Sequence, residues 1–401
     1  MARSTRPIRL ERQIRSRSNR ICADSKPNIS GNQEFIYMRV KVLGAGSIGN
    51  HLSHASRSLG WHVDICDIDP AALERTKTEI YPSRYGKWDD AIGTYLSADA
   101  PKGGYDLICI GTPPHVHLPL AIEALNEQPK AILIEKPVCG PDLKDADTLF
   151  RRARDQGVAI FVGYDHVVGK AAQDATASAR AHGALPLTLD VEFREFWGGI
   201  FAAHPWLAGP WETYLGFSRL GGGASGEHSH AINLWQHFAH ELGAGRVVEV
   251  QAMLQTVKDD KVDYDSLCLL NLKTENGLVG RCVQDVVTQP PRKWARMQFA
   301  DGHVEWQCGR EPGLDVVLHK SGNAEAVETA FRKTRPDDFI EELRHIERAL
   351  ANGDGASSSL SIQRGLETML VVAAAHLSNE KRRSVTIDYA KGFVPEALAL
   401  A

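Results

Sequence analysis

Glu135-Lys136-Pro137 places an acid and an amine side by side, far downstream of a glycine-rich turn at Gly44-Ala45-Gly46-Ser47-Ile48-Gly49. The first motif could do chemistry, and the second names the company it keeps. Met38-Arg39-Val40-Lys41-Val42-Leu43 is a short apolar, β-branched run, so the turn follows a strand. Asn50 to Leu59 reads as a helix with Leu52, Ala55, Ser56 and Leu59 on one stripe. Strand, GxGxxG and helix together are what a dinucleotide site requires: the glycines permit a tight turn and close approach of a pyrophosphate to the helix N-terminus. Gly44, Gly46, Ser47, Ile48 and Gly49 are therefore expected to line a cofactor. A second strand, Val63 to Asp67, ends on a carboxylate about twenty residues on, where a ribose 2′-hydroxyl is read. Asp67 would repel a 2′-phosphate, neither Ser nor Arg follows it at once, and Arg75 is expected to face solvent. NAD is expected in preference to NADP.

The elements that position these residues alternate strand and helix as far as about residue 162. Tyr105 to Ile110 is a continuous apolar run, as in a strand buried on both faces, and ends at Gly111-Thr112-Pro113. His117 to Leu125 follows as a helix, and Ala131 to Ile134 as the strand that delivers Glu135-Lys136-Pro137. Asp142 to Gln156 is a further helix and Val158 to Val162 a further strand. Ligands of open parallel sheets bind beyond the carboxyl ends of the strands, so Gly44, Asp67, Thr112 and Lys136 share one rim. From residue 163 the strands lengthen and alternate: Leu187 to Phe196, Val247 to Thr256, Ser266 to Lys273, Gly277 to Val287 and Arg296 to Gln307. Turns such as Glu275-Asn276-Gly277 and Ala300-Asp301-Gly302 mark an antiparallel sheet. Helices are expected at Glu227 to Leu242, Asp337 to Leu350 and Gly365 to Leu377. The fold class is α/β: a Rossmann dinucleotide-binding domain over 38–162, then an α+β domain over 163–401 with a large, open, mainly antiparallel sheet.

Composition narrows the function. The chain has 401 residues, 43% hydrophobic and 24% charged, which suits a two-domain globular protein. No run of about eighteen apolar residues exists, so no membrane span is expected. The seven cysteines, from Cys22 to Cys308, show no CxxC and read as reduced residues of a cytoplasmic protein. Residues 1–37 carry a charge of +5 where the whole chain carries −4, so the remainder is acidic and nucleic acid is not an expected partner. That Arg- and Ser-rich segment reads as a disordered basic tail or a start-site artefact, with an organelle transit peptide as the alternative. His228-Ser229-His230 and His115-Val116-His117 lack carboxylate or thiolate partners at fixed spacing, so no metal is expected. The aromatic residues between Phe193 and Phe217 leave two readings open: stacking against a ligand, or a loop packed on itself.

The chain resembles the Gfo/Idh/MocA oxidoreductases, a family of sugar and cyclitol dehydrogenases. The resemblance rests on GAGSIG, on GTPP with His117, on Glu135-Lys136-Pro137, and on Gly221-Gly222-Gly223 followed by Glu227-His228-Ser229-His230-Ala231-Ile232-Asn233. It spans residues 38 to about 390. It implies that Lys136 reaches the reacting oxygen of the substrate while His230 removes the hydroxyl proton as hydride leaves for nicotinamide. It also implies that Thr112, Pro113, His117, Glu135 and Lys136 lie against the cofactor. Asp165, His166, Glu227 and Asn233 would join Lys136 and His230 around a carbohydrate-like substrate. A helix from Glu227 would align Glu227, His230, Asn233 and His237 on one polar stripe, expensive to bury unless it faces a cleft. Three positions depart from the family pattern. The relay Asp that members carry four residues before the catalytic His is here Gly226; Glu227 next to it could substitute or only cap the helix. Asn233 stands where Asp is usual, and Pro114 where Asn is common.

The expected function is NAD(P)-dependent oxidation of a secondary alcohol of a sugar, sugar acid or cyclitol. Two alternatives stand beside it: a glycosidase or lyase that oxidises its substrate only transiently, and a non-catalytic nucleotide-sensing regulator. Retention of both Lys136 and His230 argues against the sensor. By analogy with the family, a homo-oligomer, dimer or tetramer, is expected.

Overall fold

The computed structural model describes residues 20–21, 37–202, 204 and 206–401. Apart from Arg20, Ile21 and Tyr37, the basic tail expected over 1–37 lies outside the described residues. Two sheets organise the rest. The first has six parallel strands in the spatial order Ile92–Leu96, His62–Asp67, Arg39–Leu43, Leu107–Ile110, Ala131–Ile134 and Ala159–Val162. Leu107–Ile110 and Ala131–Ile134 are buried at every position, as their unbroken apolar runs require of strands covered on both faces. The edge strand Ile92–Leu96 and the helical pieces from Pro70 to Tyr85 carry no clear apolar period, which hid them from the sequence reading.

The second sheet has eleven strands. Its middle runs Leu314–Ser321, Gly302–Glu311, Arg292–Gln298, Thr188–Arg194, Val279–Asp285, Asp263–Thr274 and Val247–Lys258, antiparallel except where Thr188–Arg194 pairs parallel with Val279–Asp285. The expected strand Arg296 to Gln307 is a hairpin of two strands, turning at Ala300-Asp301-Gly302. Arg20–Ile21 adds a parallel edge to Val327–Arg332. One face of the sheet packs on the helices Lys170–Arg180, His230–Glu241 and Ile362–Lys381. The other face is open, with Met253 68% and Val279 48% exposed. Strict alternation in Thr188–Arg194, with Leu189, Val191 and Phe193 buried, records that one-sided packing.

The helix expected from Glu227 to Leu242 is in fact two helices, Gly223–Glu227 and His230–Glu241. At the joint, the His228 carbonyl accepts a hydrogen bond from the Gln284 amide and the Ser229 hydroxyl accepts one from the Tyr164 phenol. Hydrogen bonds from the strand Val279–Asp285 and from Tyr164, just beyond the strand Ala159–Val162, therefore hold the turn that separates Glu227 from the stripe of His230.

Candidate functional site

The glycine turn takes the shape its residue types demand. Gly44 has φ +100°, a region side chains avoid, and a Cβ on Gly49 would meet the Gly44 carbonyl at 1.9 Å. Gly46 has no atom within 4 Å of where its Cβ would stand, so open space lies above the N-terminus of Ser47–Ser58. Asp67 closes the turn: its carboxylate accepts from Ala45 N–H at 2.7 Å and from Asp69 N–H at 2.9 Å. Each oxygen keeps a lone pair for a ribose hydroxyl. Arg75, expected to face solvent, is 39% exposed and lies 3.6 Å from Asp69, the residue that caps its own helix. Arg84 donates to the Ser47 carbonyl at 2.9 Å and to its hydroxyl at 2.8 Å. The sequence reading missed this cation, because nothing in the irregular segment around it ties it to the turn. Open space, free helix N–H groups and an adjacent guanidinium fit a pyrophosphate, so these residues would hold a dinucleotide.

His117 needs a correction. It was expected to contact the cofactor, but its ring is fully buried between the Pro137 carbonyl at 2.9 Å and the Thr112 carbonyl at 2.7 Å. It ties the two strand ends that carry Thr112-Pro113 and Glu135-Lys136-Pro137. The Lys136–Pro137 bond is cis. Glu135 is buried beneath this rim, which pushes its carboxyl up to about 7 despite the neighbouring Lys136. Glu342, from the helix Arg335–Asn352, is buried close by with neither oxygen hydrogen-bonded, and burial with Glu135 next to it drives its carboxyl well above the usual range.

Lys136 Nζ donates to the backbone carbonyl of Glu227 at 3.0 Å and to its carboxylate at 3.1 Å. Tyr214 O–H donates to the other carboxylate oxygen at 3.3 Å. Burial opposes ionisation of Glu227, but Lys136 and His228 outweigh it and hold the carboxyl below its ordinary value. Glu227 is therefore the anion of the lysine, not a helix cap.

His230 opens the second of the two helices and stands among rings: His166 at 4.7 Å between centroids, Tyr164 at 5.5 Å edge-on, and Phe193 stacked at 6.2 Å. Burial, then His166, Lys136, Lys293 and His228, press its basicity well below that of a free histidine. Burial likewise takes His166 down to about 4. Asp165 begins the turn that follows the strand Ala159–Val162, and its Oδ1 lies 3.8 Å from His230 Nδ1 and 4.0 Å from His166 Nδ1. Burial raises its carboxyl, but His166, Arg335, Lys333 and Lys293 prevail and lower it. Among the described residues, Asp165, His166 and His230 bring ligand-capable atoms within 4.8 Å of one another, so the carboxylate that the histidine motifs lacked along the chain arrives across the fold.

The rest of the expected polar stripe turns away. Asn233 Nδ2 donates to Thr368 Oγ1 at 3.1 Å in the buried contact with Ile362–Lys381, so it does not join Lys136 and His230. His237 faces Arg364, His240, Arg180 and His345 instead. Asn233 and His237 stand about one and two turns beyond His230 on the continuous helix His230–Glu241, where neighbouring side chains such as Thr368 take them up; the break at His228-Ser229 separates only Glu227 from that helix.

Glu195 and Lys293, 3.1 Å apart, also face this group and were missed. A signal for both existed. Glu195 continues the inward parity of Leu189, Val191 and Phe193, and Lys293 that of Ala295 and Met297. Charge on the buried face of an alternating strand points to a site. The aromatic segment divides: Phe193 and Trp197 are buried, Trp197 packing on Tyr264 at 4.7 Å, while Trp206 and Trp211 are exposed.

Residues 38–164 match the model of the Gfo/Idh/MocA oxidoreductase family, an NAD-binding Rossmann fold. The likeness to that family of NAD-binding oxidoreductases is carried by this domain. Among solved structures, an oxidoreductase from Agrobacterium radiobacter in complex with NAD+, L-tartaric acid and magnesium superposes with a TM-score of 0.68 at 19% identity, covering 88% of this chain and 98% of its own. An NAD-binding oxidoreductase from Klebsiella pneumoniae gives 0.70 at 18% identity, covering 88% and 99%. Levoglucosan dehydrogenase in complex with NADH gives 0.70 at 18% identity, again covering 88% and 99%. At these identities the likeness is one of fold. No curated protein matches the chain. No helix among the described residues is long and apolar enough to cross a membrane.

Proposed function

We propose that the protein is an NAD-dependent dehydrogenase that moves a hydride between a secondary alcohol of a sugar, sugar acid or cyclitol and nicotinamide. The observation that carries this reading is the convergence of Lys136 and His230 at the rim of the dinucleotide sheet, each with a carboxylate beside it. NAD, when bound, supplies the hydride acceptor. The chain's own residues handle the proton and the oxygen. An ammonium has three N–H donors, and Glu227 takes two of those of Lys136, so one remains for the oxygen of a substrate as its C–O bond becomes a carbonyl. His230, neutral at working pH, is the acceptor for the hydroxyl proton. The Glu195–Lys293 pair and His166 offer donors and acceptors to further hydroxyls, and buried Phe193 packs behind His166 and His230. That mixture suits a polyol. The levoglucosan dehydrogenase among the neighbours agrees with a carbohydrate substrate. The exposed sheet face around Met253 and Val279 is then a surface for a second copy of the chain.

The deciding experiment is a screen of sugars, sugar acids and cyclitols with NAD and NADP, following the absorbance of the reduced cofactor. Accumulation of NADH with a polyol supports the reading. Bond cleavage without accumulation would replace it with the transient-oxidation alternative, and cofactor binding without turnover would replace it with the sensor.

A further inference from the structure

Taking His230 as the proton acceptor, the structure leaves one question of charge. An imidazole that accepts a proton here becomes a cation among Lys136, Lys293, His166 and His228, every one of which opposes it. Position 226, four residues earlier, cannot supply an anion: a Cβ there would meet the Gly221 carbonyl at 2.1 Å. The Glu227 carboxylate is occupied by Lys136 and Tyr214. Asp165 remains. Its Oδ1 and the Nδ1 of His230 are both buried, both without a hydrogen-bond partner, and 3.8 Å apart. Two unsatisfied and complementary atoms that face each other across a gap just longer than a hydrogen bond are set to close on it.

We propose that Asp165 is the positioning residue for His230: it accepts the Nδ1–H hydrogen bond, fixes the tautomer that leaves Nε2 free towards the substrate, and balances the imidazolium formed when Nε2 takes the hydroxyl proton. The proton moves from the substrate oxygen to Nε2, and Asp165 neither gains nor loses one. This inference rests on the reading of His230 given above and adds a residue from a different element, the turn Asp165–Val168. It divides between two carboxylates what one would otherwise do, with Glu227 serving Lys136 and Asp165 serving His230. Asp165 is suited to the task because it opens the helical turn Asp165–Val168 and is itself buried, so its carboxylate is held by packing.

The test is a double-variant cycle on the full-length protein, with folding of each variant verified by circular dichroism. Asp165→Asn keeps the shape and removes the charge, and should lower kcat on the order of 10²–10⁴-fold with KM and NAD affinity little changed. Asp165→Glu should recover part of the loss. In a His230→Ala background, Asp165→Asn should cost nothing further, because a residue that acts through His230 has nothing left to act on. A loss in that background equal to the loss in the native protein would overturn the proposal, since it would show a structural role. So would bound metal, measured by elemental analysis at one ion per chain and absent from Asp165→Asn, because Asp165 would then be a ligand. Full activity of His230→Ala would instead remove the reading of His230, whereas an inactive His230→Ala beside a fully active Asp165→Asn would remove only Asp165.

Discussion

Lys136 and Glu227 meet head-on: the ammonium holds both the backbone carbonyl and the carboxylate of Glu227, at 3.0 and 3.1 Å, across the junction between the parallel sheet and the second domain. The lysine end of the site is thereby fixed in direction before any substrate arrives. A donor held in place is worth more to a developing charge than one that must reorganise.

Replacing Lys136 with Ala should remove that donor and lower kcat on the order of 10²–10⁴-fold. NAD binding, measured by fluorescence titration, should persist, because the glycine turn and Asp67 do not touch this side chain. A variant with native kcat would disprove the role.

The pH dependence of kcat follows from the direction of the His230 shift. Its basicity is pressed well below the ordinary 6.5, so the neutral, proton-accepting form survives into acid solution and is lost only as pH falls through the depressed value. The acid limb of the profile should therefore lie below pH 6.5, and His230→Ala should abolish it along with most activity. An acid limb at or above the ordinary histidine value would point to a different base, with Glu227, His228 and His166 next in line.

Cofactor choice should follow Asp67. Its carboxylate stands at the end of His62–Asp67 against Ala45 N–H, where it can accept from a free ribose diol and repels a 2′-phosphate. The native protein should show higher kcat/KM with NAD than with NADP, and Asp67→Ser with Ile68→Arg should move the ratio towards NADP. Equal efficiency with the two cofactors in the native protein would refute the assignment.

Glu342 should make the protein less stable as pH rises. Its buried carboxyl, unpartnered at both oxygens, is raised well above 4.5, so the folded chain keeps a proton that the unfolded chain releases. Stability therefore falls by about 1.4 kcal/mol per pH unit above the unfolded value until the folded group also ionises. Glu342→Gln cannot ionise, and its melting temperature should exceed that of the native protein by more at pH 8 than at pH 6. Parallel curves in calorimetry would show that Glu342 is not a buried neutral acid.

Much of this protein was legible along the chain because the determining interactions are local. The Rossmann strands announce themselves as apolar runs, the glycine turn by its spacing, and Glu135-Lys136-Pro137 by sitting at a strand end. What sequence could not decide depends on parity and on distance. A single helix from Glu227 to Leu242 was the natural reading of its pattern, yet hydrogen bonds from Gln284 and Tyr164, both remote in sequence, hold a break at His228-Ser229. That break set Glu227 apart for Lys136, while packing of the second helix on Ile362–Lys381 took Asn233 to Thr368. His117 has the residue type of a cofactor contact, but burial between two carbonyls makes it a tie between loops. Asp165 and His230 are the clearest case. Sequence marked each as a polar residue near a substrate, while their facing exists only once the turn after Ala159–Val162 packs against the helix His230–Glu241, because no local rule connects two residues so far apart along the chain.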